Sequence, residues 1–552
     1  MYRKVHLVFI YKLIDVMKKY TRVFAAIAIT SLLVSPSYGQ DKDEYKEILS
    51  KYKTDIPTKI LTPDVVETEM LGTLKFYDGL PTDETLKKVY DNLDFMRGID
   101  VFLNFIPMAS VESMRTGLAS VGATDYNKVA IFADLLDSTP LFLTGNSTTV
   151  YCVSFIDLKK DGAMVLEIPP GAGPGTIDDA FFRFIVDMGA PGPDRKKGGT
   201  YIILPPNYKG DLEVTPNTFK DNHSVKAMVG GEERDVWIAK SRTYSNWVVL
   251  RGFLVDGKPD GAAKMWREGL KIYPLNKVKD ANKMEFINIS GKEFNTIHAN
   301  DFSFYEEIST VIDREPIEFI DPELRGQLAA IGIVKGQPFA PDARMKRILT
   351  ESVKVANATA RAISLLPRNP DAYMYEDSYW YAGFIGGDYR WLDLDGHRGR
   401  NMDARTAFFY SATVNTPAMA LKIPGVGSNY AFGTRDNDGN ILKGANNYKL
   451  HIEADVPAKD FWSIVVYDPQ TRSELQTDQG YPNRNNKRDK LVYNKDGSVD
   501  LYFGPKPPSK KLKNNWIQTV PGKAWFTLFR VYGPLQPWHD KTWQLNDFEL
   551  LK

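Results

Sequence analysis

Much of the sequence consists of short runs of β-branched and aromatic residues, separated by glycine, proline and aspartate. TTVYCVSFI (148–156), TYIILP (200–205) and WVVLRGFLV (247–255) are such runs, and VAIFADLL (129–136) and PLFLTG (140–145) resemble them. Residues of this kind favour strands, and the small and polar residues between them favour turns. Several runs lack a regular alternation of apolar and polar residues, which indicates strands buried on both faces. Packed β-sheets are therefore the main constraint on the fold.

Two parts of the chain have helical spacing instead. Leu86, Val89, Tyr90 and Leu93 follow Thr82, a plausible N-cap, and residues 98–120 extend the pattern with a break expected near Pro107. A second helical region covers about 303–366, where an apolar stripe runs from Met345 to Ile363 and Pro341 is expected in the first turn. Such a stripe indicates packing rather than chemistry.

These patterns predict a mainly β, multi-domain α+β protein. It has two β domains, the C-terminal one a jelly-roll-like antiparallel sandwich, with helices at the N-terminus and between the domains. The expected division is a signal peptide (1–39), a helical lead-in (40–125), a first β domain (126–300), a helical segment (301–368) and a C-terminal β domain (369–552).

The N-terminus has the features of an export signal. Positive residues at 18–22 precede the uncharged run VFAAIAITSLLV (23–34), which is too short to span a bilayer, and small residues follow at Ser37 and Gly39. Cleavage is expected before Gln40, and Met17 is a plausible start residue. An uncleaved anchor is the alternative. The prediction is a periplasmic or secreted protein without stable membrane insertion after cleavage.

Charge and cysteine content limit the classes of function. The formal net charge is +1, but residues 1–39 hold six basic residues and one acid, so the remaining body is mildly acidic and does not attract nucleic acid. Cys152 is the only cysteine, which excludes an internal disulfide and a cysteine-based metal site. It lies in an apolar run and is expected to be a buried hydrophobe rather than a nucleophile.

The segment NNYKLHIEADVPAKDFWSIVVYD (446–468) combines strand formers with a histidine. In a strand, Tyr448, Leu450 and Ile452 point to one face and His451 points to the other. His451 is then either solvated or part of a polar concave face. The run from Phe461 to Tyr467 is apolar on both faces, as in a central strand. This spacing of strands is typical of a sandwich or jelly roll.

Specific motifs add a family resemblance. The 446–468 segment, with GSNYAFGTRDNDGN (427–440), NKDGSVDLYFGP (494–505) and NNWIQTVPGKAWFTLFRVYGP (514–534), resembles the domain of unknown function 1214. LDSTPLFLTGNSTTVYCVSFIDL (136–158), FRFIVDMGAPGPDRKKGGTYIILPPNYKG (182–210) and RTYSNWVVLRGFLVDG (242–257) resemble its usual upstream companion, the domain of unknown function 1254. The resemblance implies two predominantly β domains joined by helices, often in exported bacterial proteins. It implies no catalytic residues.

The densest group of polar and aromatic residues lies between Tyr373 and Arg405. Aromatic rings beside arginines suit a sugar or a carboxylate, because rings pack on apolar faces and arginine binds an oxyanion in a fork. The ligand-binding candidates are Trp380, Trp391, Arg390, Arg400 and Arg405. The catalytic candidates are Asp393, Asp395 and His397, which would project from one face of a strand. The alternative is an Asp-Gly turn with ion pairs on an exposed edge.

Known site motifs are absent. Asp393-x-Asp395-Gly396 and Asp436-x-Asp438-Gly439 lack the acid that closes a calcium loop, and the six histidines have no zinc-ligand spacing. The glycine-rich loop 189–199 precedes a strand rather than a helix, which favours an ordinary loop over a phosphate cradle. No metal and no cofactor are expected.

Three functions follow from these observations. The first is the binding of a small polar ligand or glycan by the β domains. The second is a hydrolase or lyase that uses carboxylate, histidine and arginine near residues 388–405. The third is a non-catalytic scaffold in the cell envelope. The substrate, the reaction and the oligomeric state do not follow from the sequence.

Overall fold

The computed structural model describes Thr54 and residues 56–216, 222–393, 397 and 399–552. The predicted signal peptide and Asp395 lie outside these described residues. The chain has two compact units, residues 1–89 and 90–552. In the first unit, three short strands form an antiparallel sheet ahead of the first helix: β1 Val65–Thr68, β2 Gly72–Tyr77 and β3 Leu80–Pro81. Only helix was expected in this lead-in.

The second unit contains four sheets, named here by their position in the fold. Outer sheet A has the order β10-β11-β9-β6-β13, and inner sheet A has the order β14-β4-β5-β12-β7-β8. The strands of these two sheets are β4 Lys128–Ile131, β5 Thr149–Asp157, β6 Met164–Ile168, β7 Pro174–Asp179, β8 Phe184–Gly189, β9 Gly199–Leu204, β10 Val225–Val229, β11 Glu232–Lys240, β12 Ser245–Phe253, β13 Lys271–Pro274 and β14 Glu285–Asn288.

Inner sheet B has the order β15-β16-β22-β18-β19, and outer sheet B has the order β21-β20-β17-β23. Their strands are β15 Tyr381–Ala382, β16 Ser428–Gly433, β17 Asn447–Ile452, β18 Ala458–Tyr467, β19 Asn483–Asn485, β20 Val499–Gly504, β21 Trp516–Gln518, β22 Phe526–Pro534 and β23 Glu549–Leu551. Most pairs are antiparallel; β11 with β9, β14 with β4 and β20 with β21 are parallel. The mainly β, multi-domain α+β class is confirmed.

Helices connect the sheets along the chain. The α-helices are α1 Asp83–Ser120, α2 Leu158–Asp161, α3 Asp260–Gly269, α4 Ser303–Arg314, α5 Pro322–Ala330, α6 Ala343–Leu365, α7 Met402–Phe409 and α8 Gln536–His539. Helix α1 continues through Pro107, so the expected break is wrong. Proline removes one backbone hydrogen bond, and the buried packing of the neighbouring residues maintains the helix. Helix α6 begins after Pro341, and the carboxylate of Asp342 accepts the Met345 N–H at 2.7 Å.

Two sandwiches share one central core. Cys152 and Leu250 lie between inner and outer sheet A, whereas their neighbours Tyr151 and Val249 face the central core. Inner sheet B likewise presents Ile464 to outer sheet B and Val465 to the central core. Both inner sheets are therefore buried on both faces, as the lack of alternation in their sequences predicted. Segment 140–145 forms no strand, although Leu141 makes one isolated bridge.

The segment 446–468 joins two different sheets. β17 pairs with β20 and β23, whereas β18 pairs with β22 and β19, so these neighbouring strands cross from outer to inner sheet B instead of forming a hairpin. Tyr448, Leu450 and Ile452 are buried between the sheets. His451 faces outward, with Nδ1 2.7 Å from Asp500 Oδ1. The role of segment 446–468 is therefore structural.

Candidate functional site

The structure brings together four of the five predicted ligand-binding side chains. Arg390, Trp391, Arg400 and Arg405 line one cavity of about 400 Å³, named here the arginine pocket. Trp380 lies elsewhere, in the core between the sheets of the second sandwich. Its ring lies 5.3 Å from Phe548, and its Nε1 donates to a backbone carbonyl at 2.9 Å. Trp380 is therefore a packing residue.

The structure describes two of the three predicted catalytic residues, Asp393 and His397. Asp393 is partly buried, its N–H donates to the Gly399 carbonyl at 3.0 Å, and it does not line the arginine pocket. His397 is exposed in a turn. Within the described ranges, no group of three or more histidine, cysteine, aspartate or glutamate side chains is arranged to hold a metal ion.

A second cavity lies between inner sheet A and inner sheet B, and sequence reasoning missed it. This inter-sandwich cavity has a main lobe of about 270 Å³ and a small inner lobe of about 40 Å³. Arg251, Val414 and Met419 line both lobes. The main lobe alone equals the volume of about nine water molecules in the liquid. It is large enough for a small metabolite.

One wall of this cavity is a polar patch on inner sheet A. Arg251 on β12 stands opposite Tyr151 on β5, and its guanidinium lies 5.0 Å from the centre of that ring. Val249, two residues before Arg251, stands opposite Thr176, which in turn stands opposite Asp187 on β8. Directly opposed residues share a face, and so do residues two apart in a strand. All five side chains therefore belong to one face.

The opposite wall comes from inner sheet B. Tyr532 and Arg530 on β22 stand opposite Ser428 and Tyr430 on β16. The Ser428 and Tyr430 hydroxyls lie 2.6 Å apart. Asn146 joins the two walls, because its amide nitrogen donates to the Tyr151 hydroxyl at 3.0 Å and to the Tyr532 hydroxyl at 3.1 Å. The walls thus form one polar network.

Neither arginine of this network forms an ion pair among the described residues, although the charge of Arg530 acts on the buried carboxyl of Glu474. Arg251 is 8% exposed and, among the described residues, its guanidinium takes part in no hydrogen bond or ion pair. One terminal nitrogen of Arg530 donates to the Thr144 carbonyl at 2.7 Å, and the other is buried without a partner. A buried cation is costly unless an anion pairs with it. The network therefore has unmatched positive charge.

Asp187 is the buried acid of the cavity. Burial raises its pKa to about 7, although the Thr416 hydroxyl, 2.6 Å from the carboxylate, offsets part of this effect. Near neutral pH Asp187 is consequently only partly ionised and does not cancel the charge of Arg251. Arg195, Lys196, Lys459 and Asp460 also line the main lobe and add a net positive charge.

Residues 411–416, named here the seam segment, fasten the second sandwich to the first. The Thr413 carbonyl accepts the indole N–H of Trp247 at 2.9 Å, and the Asn415 N–H donates to Asp178 at 2.9 Å. Val414 and Thr416 line the inter-sandwich cavity, whereas Asn415 lines the arginine pocket. The seam segment therefore contributes to both cavities.

Comparison with known families identifies both sandwiches. Residues 126–274 match the model described as protein of unknown function (DUF1254), and residues 427–536 match the model described as protein of unknown function (DUF1214). The two matches lie in the order that the sequence motifs predicted and confirm the family resemblance. Arg251, Thr176 and Asp187 lie in the DUF1254 match, and Tyr532 and Ser428 lie in the DUF1214 match. The inter-sandwich cavity is thus built by both domains.

Two solved structures match the chain at low sequence identity. The crystal structure of the VPA0106 protein from Vibrio parahaemolyticus is 14% identical, with a TM-score of 0.50 over 83% of this chain and 100% of that chain. A putative uncharacterized protein from Burkholderia cenocepacia is 12% identical, with a TM-score of 0.35 over 85% of this chain and 97% of that chain. No curated protein matches significantly. The first likeness supports the fold of the DUF1254–DUF1214 pair.

Among the described residues of this DUF1254–DUF1214 protein, no helix has the length and apolarity that crossing a bilayer requires.

Proposed function

We propose that this protein binds a small organic acid in the inter-sandwich cavity between its DUF1254 and DUF1214 domains. The observation that carries the proposal is Arg251, a buried arginine that faces a cavity and has no acidic partner among the described residues. A carboxylate in the cavity would supply the missing charge and accept two parallel hydrogen bonds from the guanidinium. Binding residues of this kind reduce the stability of the empty protein and recover that loss with the ligand.

The other side chains of the cavity specify the rest of the ligand. The hydroxyls of Tyr532, Ser428 and Thr416 suit a hydroxylated body, such as an acidic sugar or a hydroxy acid. Lys196 and Lys459 at the same lobe favour the approach of an anion. An acidic sugar carries both a carboxylate and hydroxyls, and its size fits the volume of the cavity. It is a more specific form of the polar ligand or glycan that the sequence led us to expect.

Matched pairs of ligands test this proposal. Glucuronate and galacturonate are expected to raise the melting temperature, whereas glucose and galactose are expected to have no effect, because only the acids carry the group that pairs with Arg251. The shift is expected to be larger at about pH 6 than at about pH 8, because Asp187 ionises between these values. If no acid in a broader panel of organic acids raises the melting temperature, the proposal fails and a scaffold role is favoured.

Arg251→Leu is expected to weaken binding of a responding acid by roughly a hundredfold, since a bidentate charged contact contributes about 3 kcal/mol. The ligand-free variant is expected to be at least as stable as the wild type, because an unpaired buried cation has been replaced by an apolar side chain. Isothermal titration calorimetry and urea unfolding measure the two effects. Arg234→Leu is the control: it also replaces an arginine by leucine, but in outer sheet A, away from the cavity. This variant is expected to bind the acid with the affinity of the wild type. Equal affinities for wild type and Arg251→Leu would contradict the proposal.

We also propose that the chain is exported through its N-terminal signal. The support is the arrangement of a basic region, a short apolar run and small residues in 17–39. N-terminal sequencing of the protein from fractionated cells is expected to give a chain that begins at Gln40. A mature chain that begins at Met1 or Met17 in the cytosolic fraction would refute export.

A further inference from the structure

Five arginine side chains of the described residues line the arginine pocket. The cavity lies where strands β7 and β8, the beginning of α5 and the helix α7 meet, and it has a volume of about 400 Å³. Its arginines are Arg183, Arg242, Arg390, Arg400 and Arg405. It shares no lining residue with the inter-sandwich cavity. The two cavities are therefore separate sites.

Two of these arginines form the floor of the pocket. Arg405 is 7% exposed, and one of its terminal nitrogens donates to the Asn104 carbonyl at 2.8 Å. Arg183 pairs with Asp179 through Nε at 2.7 Å and donates to the Phe319 carbonyl through one terminal nitrogen at 2.5 Å. These contacts hold the two guanidinium groups in place without neutralising Arg405.

The other three arginines stand at the mouth. Arg242, Arg390 and Arg400 are exposed. Arg390 pairs with Asp388 at 2.9 Å, and Arg400 donates to the backbone carbonyl of Arg390. Arg242 has no hydrogen-bond or ion-pair partner among the described residues. The mouth thus presents several cationic donors to solvent.

Positive charge exceeds negative charge in this pocket. Among the described lining residues the only acid is Asp321, and its carboxylate caps helix α5 by accepting the Leu324 N–H at 2.9 Å. The crowding affects Arg405, whose pKa is lowered to about 9 by burial and by the neighbouring charges of Arg400 and Arg183. An anion with more than one charge would relieve this repulsion, whereas a monocarboxylate would neutralise only one arginine.

Aromatic rings form much of the remaining lining. They are Phe181, Phe182, Phe184, Tyr389, Trp391 and Phe409. The rings of Phe184 and Tyr389 meet edge to face at 5.9 Å, and the guanidinium of Arg405 lies 5.4 Å from the centre of the Phe181 ring. Such a surface accepts a flat apolar group beside the cationic donors.

We infer that the arginine pocket is a second ligand site, which binds a planar ring bearing a phosphate or sulfate ester. The oxyanion lies among the arginines, where guanidinium forks match its geometry, and the ring packs against the aromatic lining. This site and its ligand class do not depend on the organic acid proposed for the inter-sandwich cavity.

Fluorescence titration and calorimetry with 1-naphthyl phosphate test the inference on the full chain. The wild type is expected to bind one equivalent, with an affinity that falls as salt is raised. Arg242→Glu, a change at an exposed side chain, is expected to weaken binding at least tenfold, as is Arg405→Gln on the floor. Lys495→Glu changes the net charge by the same amount as Arg242→Glu at an exposed turn and is expected to alter affinity less than twofold. Neutral 1-naphthol and inorganic phosphate are each expected to bind at least tenfold more weakly than the ester.

Several results would overturn the inference. Unchanged affinity in Arg242→Glu would show that the probe does not bind at this pocket, even if Arg405→Gln failed to fold. Equal binding of 1-naphthol would indicate an apolar pocket without anion recognition, and equal binding of inorganic phosphate would exclude the ring contact. Arg251→Leu is expected to bind the probe as the wild type does. Loss of binding in that variant would place the probe in the inter-sandwich cavity, which would sink this inference and leave the proposed function standing.

Discussion

The free energy of unfolding is expected to fall by about 3 kcal/mol as the pH is raised from about 6.5 to about 8.5. The cause is a set of buried carboxyl groups that keep their protons in the folded protein. Burial raises the pKa of Glu474 to about 8, and the charge of Arg530 and the Ser147 hydroxyl offset this only in part. Burial also raises the pKa values of Asp187 and Glu307 to about 7.

The direction of this pH dependence follows from the number of protons that the folded and unfolded states bind. In the unfolded chain these carboxyls have ordinary pKa values near 4 and are ionised throughout this window. The folded protein binds more protons than the unfolded chain until the pH exceeds 7 to 8, so raising the pH favours unfolding. Each tenfold difference in proton affinity between the folded and the unfolded state corresponds to about 1.4 kcal/mol. Glu474 therefore accounts for roughly 2 kcal/mol of the decrease in the free energy of unfolding. His298, whose pKa burial lowers to about 3, acts in the opposite direction as the unfolded chain loses its proton near pH 6.5, and it offsets only about 0.4 kcal/mol of the decrease in this window.

A single substitution isolates the contribution of Glu474. Glu474→Gln keeps the shape of the side chain but cannot ionise. Between about pH 6.5 and 8.5 its free energy of unfolding is therefore expected to decrease by roughly 2 kcal/mol less than that of the wild type. Urea unfolding at closely spaced pH values measures the profile. Glu318→Gln, at an exposed position, is expected to follow the wild type. If Glu474→Gln also follows the wild type, the buried carboxyl of Glu474 is not the source.

Local patterns in the sequence predicted several of the longer strands, such as β5, β12 and β18, and the burial of the inner sheets. A run such as WVVLRGFLV specifies its own conformation, because residue type determines strand preference and alternation determines the two faces. The same information does not say which sheet a strand joins. Strands β17 and β18 are adjacent in the chain but belong to opposite sheets, and this depends on distant partners such as β22 and β20.

The functional sites were harder to predict for the same reason. Asn146 donates hydrogen bonds to the hydroxyls of Tyr151 and Tyr532, and Tyr532 lies 386 residues after Asn146 in the sequence. The inter-sandwich cavity therefore has no local signature in the sequence. One signal was present: Arg251 and Arg530 each interrupt an otherwise apolar strand run, where a charge needs an explanation. The cluster at 373–405 included Arg390, Arg400 and Arg405, which all line the arginine pocket. It could not separate Trp391, which lines that pocket, from Trp380, which packs between sheets.

Trp247→Ala is expected to lower the free energy of unfolding by roughly 4 kcal/mol, because a large buried ring is removed and its cavity cannot close completely. Trp247 has no exposed surface, lies on the central strand β12 and packs 5.0 Å from Phe155, centre to centre. Its indole N–H also donates to the Thr413 carbonyl in the seam segment. The variant therefore leaves a buried acceptor without its donor, which adds about 1 kcal/mol to the loss.

Trp247→Phe separates the two causes. It keeps most of the ring volume and removes only the hydrogen bond, so a loss of roughly 1 to 2 kcal/mol is expected. Urea unfolding at about pH 6.5 compares the variants with the wild type away from the titration of Glu474. Trp247→Ala is also expected to weaken acid binding, because Val414 and Thr416 of the loosened seam segment line the inter-sandwich cavity. A loss below about 1 kcal/mol in Trp247→Ala, or an equal loss in both variants, would show that ring packing at this position does not hold the two sandwiches together.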